Sequence, residues 1–300
     1  MTILTGVIPI LPTIFDANGA IDEIGTRRVL EYVIASGASG VVFPGLASEY
    51  DMLTRQERLH MTHLIGTWVA GRIPLVVGAS ATSPEDARDF AVAGADAGAQ
   101  TAMILTPKSP GMGLDAMADF FAAIHGQARI DIMLQNAPPP MGIGLGLEQV
   151  AVLVRKVHGI RYVKEEAPPS GQRITQLGTL AGDALDGIYG GAGARYLMDE
   201  LARGARGTMP ACEITELHVA MYRAFVAGDE VRARDLFERT LPLLSMQANF
   251  RWRLTKAVLK MRGLIGSDFT RAPGASLDAY DHNELKILMQ RLSDLIPLQH

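Results

Sequence analysis

At 300 residues, 48% hydrophobic and 20% charged, the chain has the composition of a compact soluble protein with a large core. Its net charge of −4 leaves no electrostatic footprint for nucleic acid or an anionic membrane, and a lone cysteine, Cys212, excludes an intrachain disulfide and a cysteine-based metal cluster. No run approaches the roughly 20 apolar residues that span a bilayer, and Met1-Thr2-Ile3-Leu4 opens no signal peptide, so a cytoplasmic location is expected.

In chain order, Gly6–Leu11 reads as a strand and Asp22–Ser36 as a helix with Asp22 at its cap. Gly40–Phe43 is a buried-strand run, and Thr54 caps a helix over Arg55–Val69. Ile73–Gly78 is the next strand, followed by Ser83 as cap with Pro84 at the first helical position. Thr101–Leu105 leads through a Pro-rich loop into a helix over Leu114–Ile124. Asp131–Gln135 is the fifth strand and Leu147–Val157 its helix; Ile160–Lys164, Ala184–Tyr189 and Ala205–Met209 complete a set of eight.

Strands that are apolar throughout, alternating with amphipathic helices, predict a parallel sheet covered on its faces. Eight such units in about 210 residues favour an α/β fold of the closed (β/α)8 TIM-barrel type. No Gly-x-Gly-x-x-Gly follows the first strand, which argues against a dinucleotide-binding sheet. Gly190-Gly191-Ala192-Gly193 follows the seventh strand; it is either a tight turn or a set of bare amides for an anionic group. From Glu213 the pattern is helical only, over Glu213–Ala227, Glu230–Phe250, Arg251–Met261 and Asn283–Leu295, with Pro242 expected to kink or break the second. The expected organisation is a barrel over 1–212 with a helical segment, 213–300, packed against it or against a neighbouring subunit.

The sixth strand ends in Tyr162-Val163-Lys164-Glu165-Glu166. Strand alternation puts Lys164 and Glu166 on one face and Glu165 on the other. A buried lysine beside a carboxylate suits covalent chemistry on a carbonyl, the uncharged amine attacking and the carboxylate moving protons. The bland alternative is a strand end closed by an ion pair. Among six lysines only Lys164 ends an apolar strand run; Lys156, Lys256, Lys260 and Lys286 fall on helices and read as solvated, and Lys108 lies in the Pro-rich loop. In a barrel the site gathers at the C-terminal strand ends, where Gly45-Leu46-Ala47-Ser48-Glu49 and Gln135-Asn136 also fall. His60 and His63 share a helix without a third ligand in pattern, so no metal site is expected.

Gly6-Val7-Ile8-Pro9, Phe15-Asp16-x-x-Gly19-x-Ile21-Asp22, Gly45-x-x-x-Glu49, Asn136-x-Pro138 and Val163-Lys164-Glu165, in this order, resemble the dihydrodipicolinate synthase / N-acetylneuraminate lyase superfamily of Schiff-base aldolases. The resemblance covers essentially the whole chain. It implies a (β/α)8 barrel with a helical C-terminal extension, a homotetramer, no metal or organic cofactor, and a 2-oxo acid substrate held as an imine by the lysine that Lys164 matches. It also implies that the Gly45–Glu49 loop, through Ala47 and Ser48, holds the substrate carboxylate, with Asn136, Gly190 and Gly191 lining the substrate.

Departures from the family pattern bear on the reaction. Where the synthases carry two loop threonines, this chain has Leu46 and Ala47; the strand-five tyrosine is Gln135, and the arginine that grips aspartate semialdehyde falls near Pro140. Dihydrodipicolinate synthesis is therefore disfavoured. Glu166 is the candidate replacement for the lost phenol: it either carries a proton from C3 to a departing C4 hydroxyl, or serves as counter-ion of Lys164. Gln135 then orients substrate or water, or fills the vacated space. The Leu-Ala-Ser-Glu loop, the Gln-Asn pair and Lys-Glu-Glu resemble the 2-keto-3-deoxy-L-arabonate dehydratase branch, which implies a hydro-lyase forming α-ketoglutarate semialdehyde. A pyruvate-type aldolase or hydratase-aldolase, and a non-catalytic 2-oxo-acid-binding barrel, are the alternatives.

Overall fold

The computed structural model describes residues 3–107 and 112–296. Among these, eight strands form one parallel sheet: β1 Gly6–Val7, β2 Val41–Phe43, β3 Leu75–Gly78, β4 Thr101–Leu105, β5 Asp131–Asn136, β6 Ile160–Glu165, β7 Gly187–Gly190 and β8 Gly207–Thr208. Each pairs with its neighbours in sequence, and β1 pairs with β8. The remaining gap closes at Ile10, which bridges Val42 of β2 on one side and Ala211 on the other. The chain is thus a (β/α)8 barrel, and Lys108, in the Pro-rich loop, lies outside the described residues.

The strands are apolar on both faces because both faces are covered. Ile8, Ile10, Val42, Val76, Met103, Met133, Tyr162, Tyr189 and Met209 fill the interior. Their neighbours Val41, Phe43, Val77, Ile104, Ile132, Leu134 and Val163 point outward into a larger core beneath the helices. Those helices are α1 Glu23–Ala35, α2 Arg55–Val69, α3 Pro84–Asp96, α4 Leu114–Ala128, α5 Leu147–Lys156, α6 Ser170–Ala181 and α7 Leu197–Ala202. The caps read from sequence are in place. Asp22 accepts from the Gly25 amide, Thr54 and Glu57 form a reciprocal capping box, and Ser83 accepts from the Asp86 amide ahead of Pro84. Helix α6, which follows Pro168-Pro169, is not among the expected helices. The seventh strand starts later than expected because a 3-10 turn occupies Gly182–Ala184.

Beyond β8 come α8 Thr215–Val226, α9 Glu230–Phe250, α10 Trp252–Met261 and α11 Ala279–Arg291, which share an apolar core with α7. Two expectations are corrected here. Helix α9 runs unbroken through Pro242. Pro242 and Glu238, the residue whose carbonyl loses its donor, are both exposed, so the freed carbonyl is open to solvent and is not stranded in the core. The interruption falls instead at Arg251, a non-glycine residue at φ 54°, ψ −128°. Helix α11 begins at Ala279, capped by Asp278 rather than near Asn283. Among the described residues no helix is long and apolar enough to cross a membrane.

Candidate active site

Strand β6 delivers the predicted pair into the barrel mouth. Lys164 is 2% exposed, and its Nζ lies 3.2 Å from Oε1 of Glu166, itself 9% exposed. Register sets Gln135 beside Lys164, and Gln135 Nε2 donates to the other Glu166 oxygen at 2.6 Å. Glu166 therefore bridges the lysine and the amide. Gln135 has no titratable proton, so its visible task is to aim the carboxylate. Glu165, on the opposite face, accepts from Asn136 Nδ2 (2.8 Å) and the Ala167 amide (2.9 Å) and pairs with Arg173 at 3.1 Å. It anchors the strand-end loops.

Gly190, the last residue of β7, and Gly191 after it are explained by two carboxylates. A Cβ at Gly191 would stand 2.3 Å from Glu166 Oε1, and one at Gly190 would stand 1.7 Å from Glu200 Oε2. The Ala192 amide, 3.5 Å from Glu166 Oε1, points at that oxygen. The anion this turn meets is thus one of the protein's own. Gly191 makes room for it and Gly190 for Glu200, and Ala192 and Gly193 carry the wall forward into the cavity.

Lys164 and Glu166 line a cavity of about 320 Å3 together with Ala47, Met141, Ser170, Arg195, Gln247, Arg251 and others. Five sequence-predicted residues, Gln135, Ser48, Asn136, Gly190 and Gly191, are not on its wall. The Ser48 hydroxyl donates to the Leu11 carbonyl and accepts from the Gly45 amide, at 2.8 Å, so it holds the loop, and Ala47 is the residue of the pair that lines the cavity. Asn136 is spent on Glu165 and on both backbone groups of Leu145. Strand alternation is the reason: with Gln135 facing inward, Asn136 must face out.

The reading of Lys256 as a solvated helix lysine is corrected. It is fully buried, ion-paired with Glu49 and hydrogen-bonded to the Phe269 carbonyl at 3.0 Å. Burial pushes its amine down to about 8, opposed by the Glu49 charge. Glu49 also accepts from the Ala272 amide at 2.7 Å, so the carboxylate of the predicted substrate loop faces α10 instead of the cavity. The signal was available: Lys256 is the one charge within Leu254-Thr-Lys-Ala-Val-Leu259, a run buried on every side. Unlike Lys164, it does not line the cavity.

Glu200 is a second residue that the sequence reading misses. It is fully buried behind Gly190 and accepts from Ser170 Oγ at 2.7 Å, while Oε2 has no partner among the described residues. Burial drives its carboxyl up to about 7 against the Ser170 hydrogen bond, with a further push from the Glu166 charge. His60 is paired with Glu23 at 2.7 Å, and among the described residues no group of His, Cys, Asp and Glu is arranged to hold a metal.

The family model described as "Dihydrodipicolinate synthetase family" matches residues 3–292. The L-2-keto-3-deoxyarabonate dehydratase of Azospirillum brasilense is 28% identical over 295 residues, covering 97% of this chain and 95% of that one. The 4-hydroxy-tetrahydrodipicolinate synthase of Hyphomonas neptunium is 30% identical over 242 residues, 79% of this chain and 81% of that one. YagE, a prophage protein of E. coli solved in complex with pyruvate, superposes with a TM-score of 0.90 at 22% identity, over 97% of this chain and 99% of its own. That likeness is one of fold.

Proposed function

The chain belongs to the dihydrodipicolinate synthetase family and is a Schiff-base lyase, and from that premise we propose that it dehydrates a 2-keto-3-deoxy sugar acid. The observation that carries this reading is the Lys164–Glu166–Gln135 bridge, which holds a carboxylate 3.2 Å from the lysine amine, where it can move protons. Full-length similarity to a keto-deoxy-arabonate dehydratase supports it, while similarity to synthases fixes only the family.

In the proposed sequence the substrate carboxylate rests against the Ala47 loop and the Lys164 amine adds to C2. Loss of water leaves an iminium, which serves as electron sink. Glu166 takes a C3 proton, forming the enamine. The enamine electrons expel the C4 hydroxyl, which leaves as water with the proton from Glu166. Loss of a C5 proton and return of one to C3 give the C4=C5 enol, which on protonation at C4 and loss of its hydroxyl proton becomes the C5 carbonyl, an aldehyde where C5 is terminal and a ketone where the chain continues. Hydrolysis of the imine frees the product. Proton transfer by a positioned carboxylate contributes about 10²–10⁴-fold.

The test is a panel of 2-keto-3-deoxy acids, with products read by mass. Loss of 18 mass units from an intact carbon chain is expected; release of pyruvate would replace dehydration by aldol cleavage. Borohydride with pyruvate should add covalent mass to wild type and none to Lys164→Ala. Glu166→Gln should keep the adduct and lose most of the turnover; if it also blocks trapping, the carboxylate serves the lysine rather than the elimination.

A further inference from the structure

The outer wall of the Lys164 cavity carries two cations, Arg195 after β7 and Arg251 between α9 and α10. Neither has a carboxylate partner among the described residues. Arg195 Nη1 reaches only Gln247 Oε1, at 3.4 Å, and Arg251 Nη2 donates to the Met141 sulfur at 2.7 Å, with its guanidinium 5.0 Å from the Trp252 ring centre. Arg173, Arg262 and Arg271, by contrast, each meet a glutamate, and Arg58 and Arg253 are spent on backbone carbonyls. A thioether and an amide oxygen are weak acceptors for two guanidinium groups, which match planar anions best.

Charge on the cavity wall tells the same story. The charges lining it are Lys164, Glu166, Arg195 and Arg251. Once Lys164 is held as the iminium, its positive nitrogen and the Glu166 carboxylate offset each other, which leaves two positive charges for the rest of the ligand to balance. The carboxylate adjoining the keto group of a 2-oxo acid supplies one negative charge. The complementary ligand has a second. Arg251 is, besides, held at φ 54°, ψ −128°, a left-handed backbone rarely adopted by a side chain other than glycine, and such strain clusters where a side chain must be aimed.

We propose that Arg195 and Arg251 seat a terminal anionic group at the far end of the substrate, so that the preferred substrates are 2-oxo acids carrying a second anion, carboxylate or phosphate, at the distal carbon. This rests on the reading of Lys164 as the imine-forming lysine, and it narrows the 2-keto-3-deoxy acids to those that do not end in a hydroxymethyl group.

Chain-length mimics test it independently of the reaction catalysed. Half-saturation for borohydride trapping is measured with 2-oxoadipate, which ends in carboxylate, and 2-oxohexanoate, which ends in methyl. Wild type should favour 2-oxoadipate by at least ~30-fold, with the preference falling as salt rises, and an Arg195→Gln/Arg251→Gln double variant should bring the ratio to within ~3-fold. Arg251→Lys, which keeps the charge, should retain most of it. A wild-type ratio near one, or a ratio unchanged in the double variant, overturns the proposal. No trapping of either acid by wild type would sink the imine reading and the tail site with it. Trapping without water loss from any sugar acid would sink only dehydration. Turnover of matched six-carbon keto-deoxy acids ending in carboxylate, phosphate or hydroxymethyl then separates the two anions.

Discussion

Gly191→Ala adds one methyl group and no functional atom, yet it should cripple turnover. The new Cβ would lie 2.3 Å from Glu166 Oε1, 2.7 Å from its Cγ and 2.8 Å from its Cδ. Ordinary contact begins near 3.4 Å, so the carboxyl arm must retreat by about 1 Å. Retreat strains the 2.6 Å bond from Gln135 and the 3.2 Å approach to Lys164. A displacement of about 1 Å at the reacting group costs on the order of 100-fold, or about 2.7 kcal/mol on the barrier. Gly191 does not have positive φ, so the substitution acts on the carboxylate and not through backbone strain. The assay is kcat for water loss, alongside borohydride trapping with pyruvate and a thermal melt. A kcat within threefold of wild type would mean that the position of Glu166 does not matter to the chemistry.

Lys256→Met should destabilise the fold by about 3–5 kcal/mol in urea denaturation, because it strands a buried Glu49. Its pyruvate adduct should still map to the peptide containing Lys164; loss of the adduct mass, with folding intact, would make Lys256 the nucleophile. Glu213, buried with Oε2 unpartnered among the described residues, is raised by burial from 4.5 to about 7. Its folded form binds the proton more tightly than its unfolded form. Ionising it therefore costs nothing below about pH 4.5, progressively more between 4.5 and 7, and about 3 kcal/mol above 7. Glu213→Gln should accordingly raise unfolding free energy at pH 8 by up to that amount and leave it nearly unchanged at pH 4.5; equal effects at both would show that the group stays ionised. Buried His218, driven down to about 3, has the opposite pH trend but is common to both proteins and cancels.

What was legible in the sequence followed from periodicity. A period of two put Lys164 and Glu166 together and turned Glu165 away, and the apolar strands declared a covered sheet. Caps such as Thr54 and Ser83 are local chemistry and were read directly. Ser48 and Asn136 sit at the right strand ends, but which of their atoms remain free depends on partners in other loops, Leu11 and Leu145, that spacing does not announce. A charged helical position such as Lys256 reads as wet by default, and the packing of α10 against the barrel makes it dry. Glu200 had no sequence signal beyond the glycine that makes room for it.

Ile10 does two jobs. Its backbone sutures the first and last portions of the cylinder, and the residue also stands on the wall of the chamber that holds Lys164. A Cβ on Gly45 would come within 2.8 Å of it, so the loop above leans on the same point. The stitch that makes the sheet continuous and the partition that shapes the chamber are therefore inseparable. Fraying at that seam would unmake the reaction vessel while most of the helical scaffold still stood.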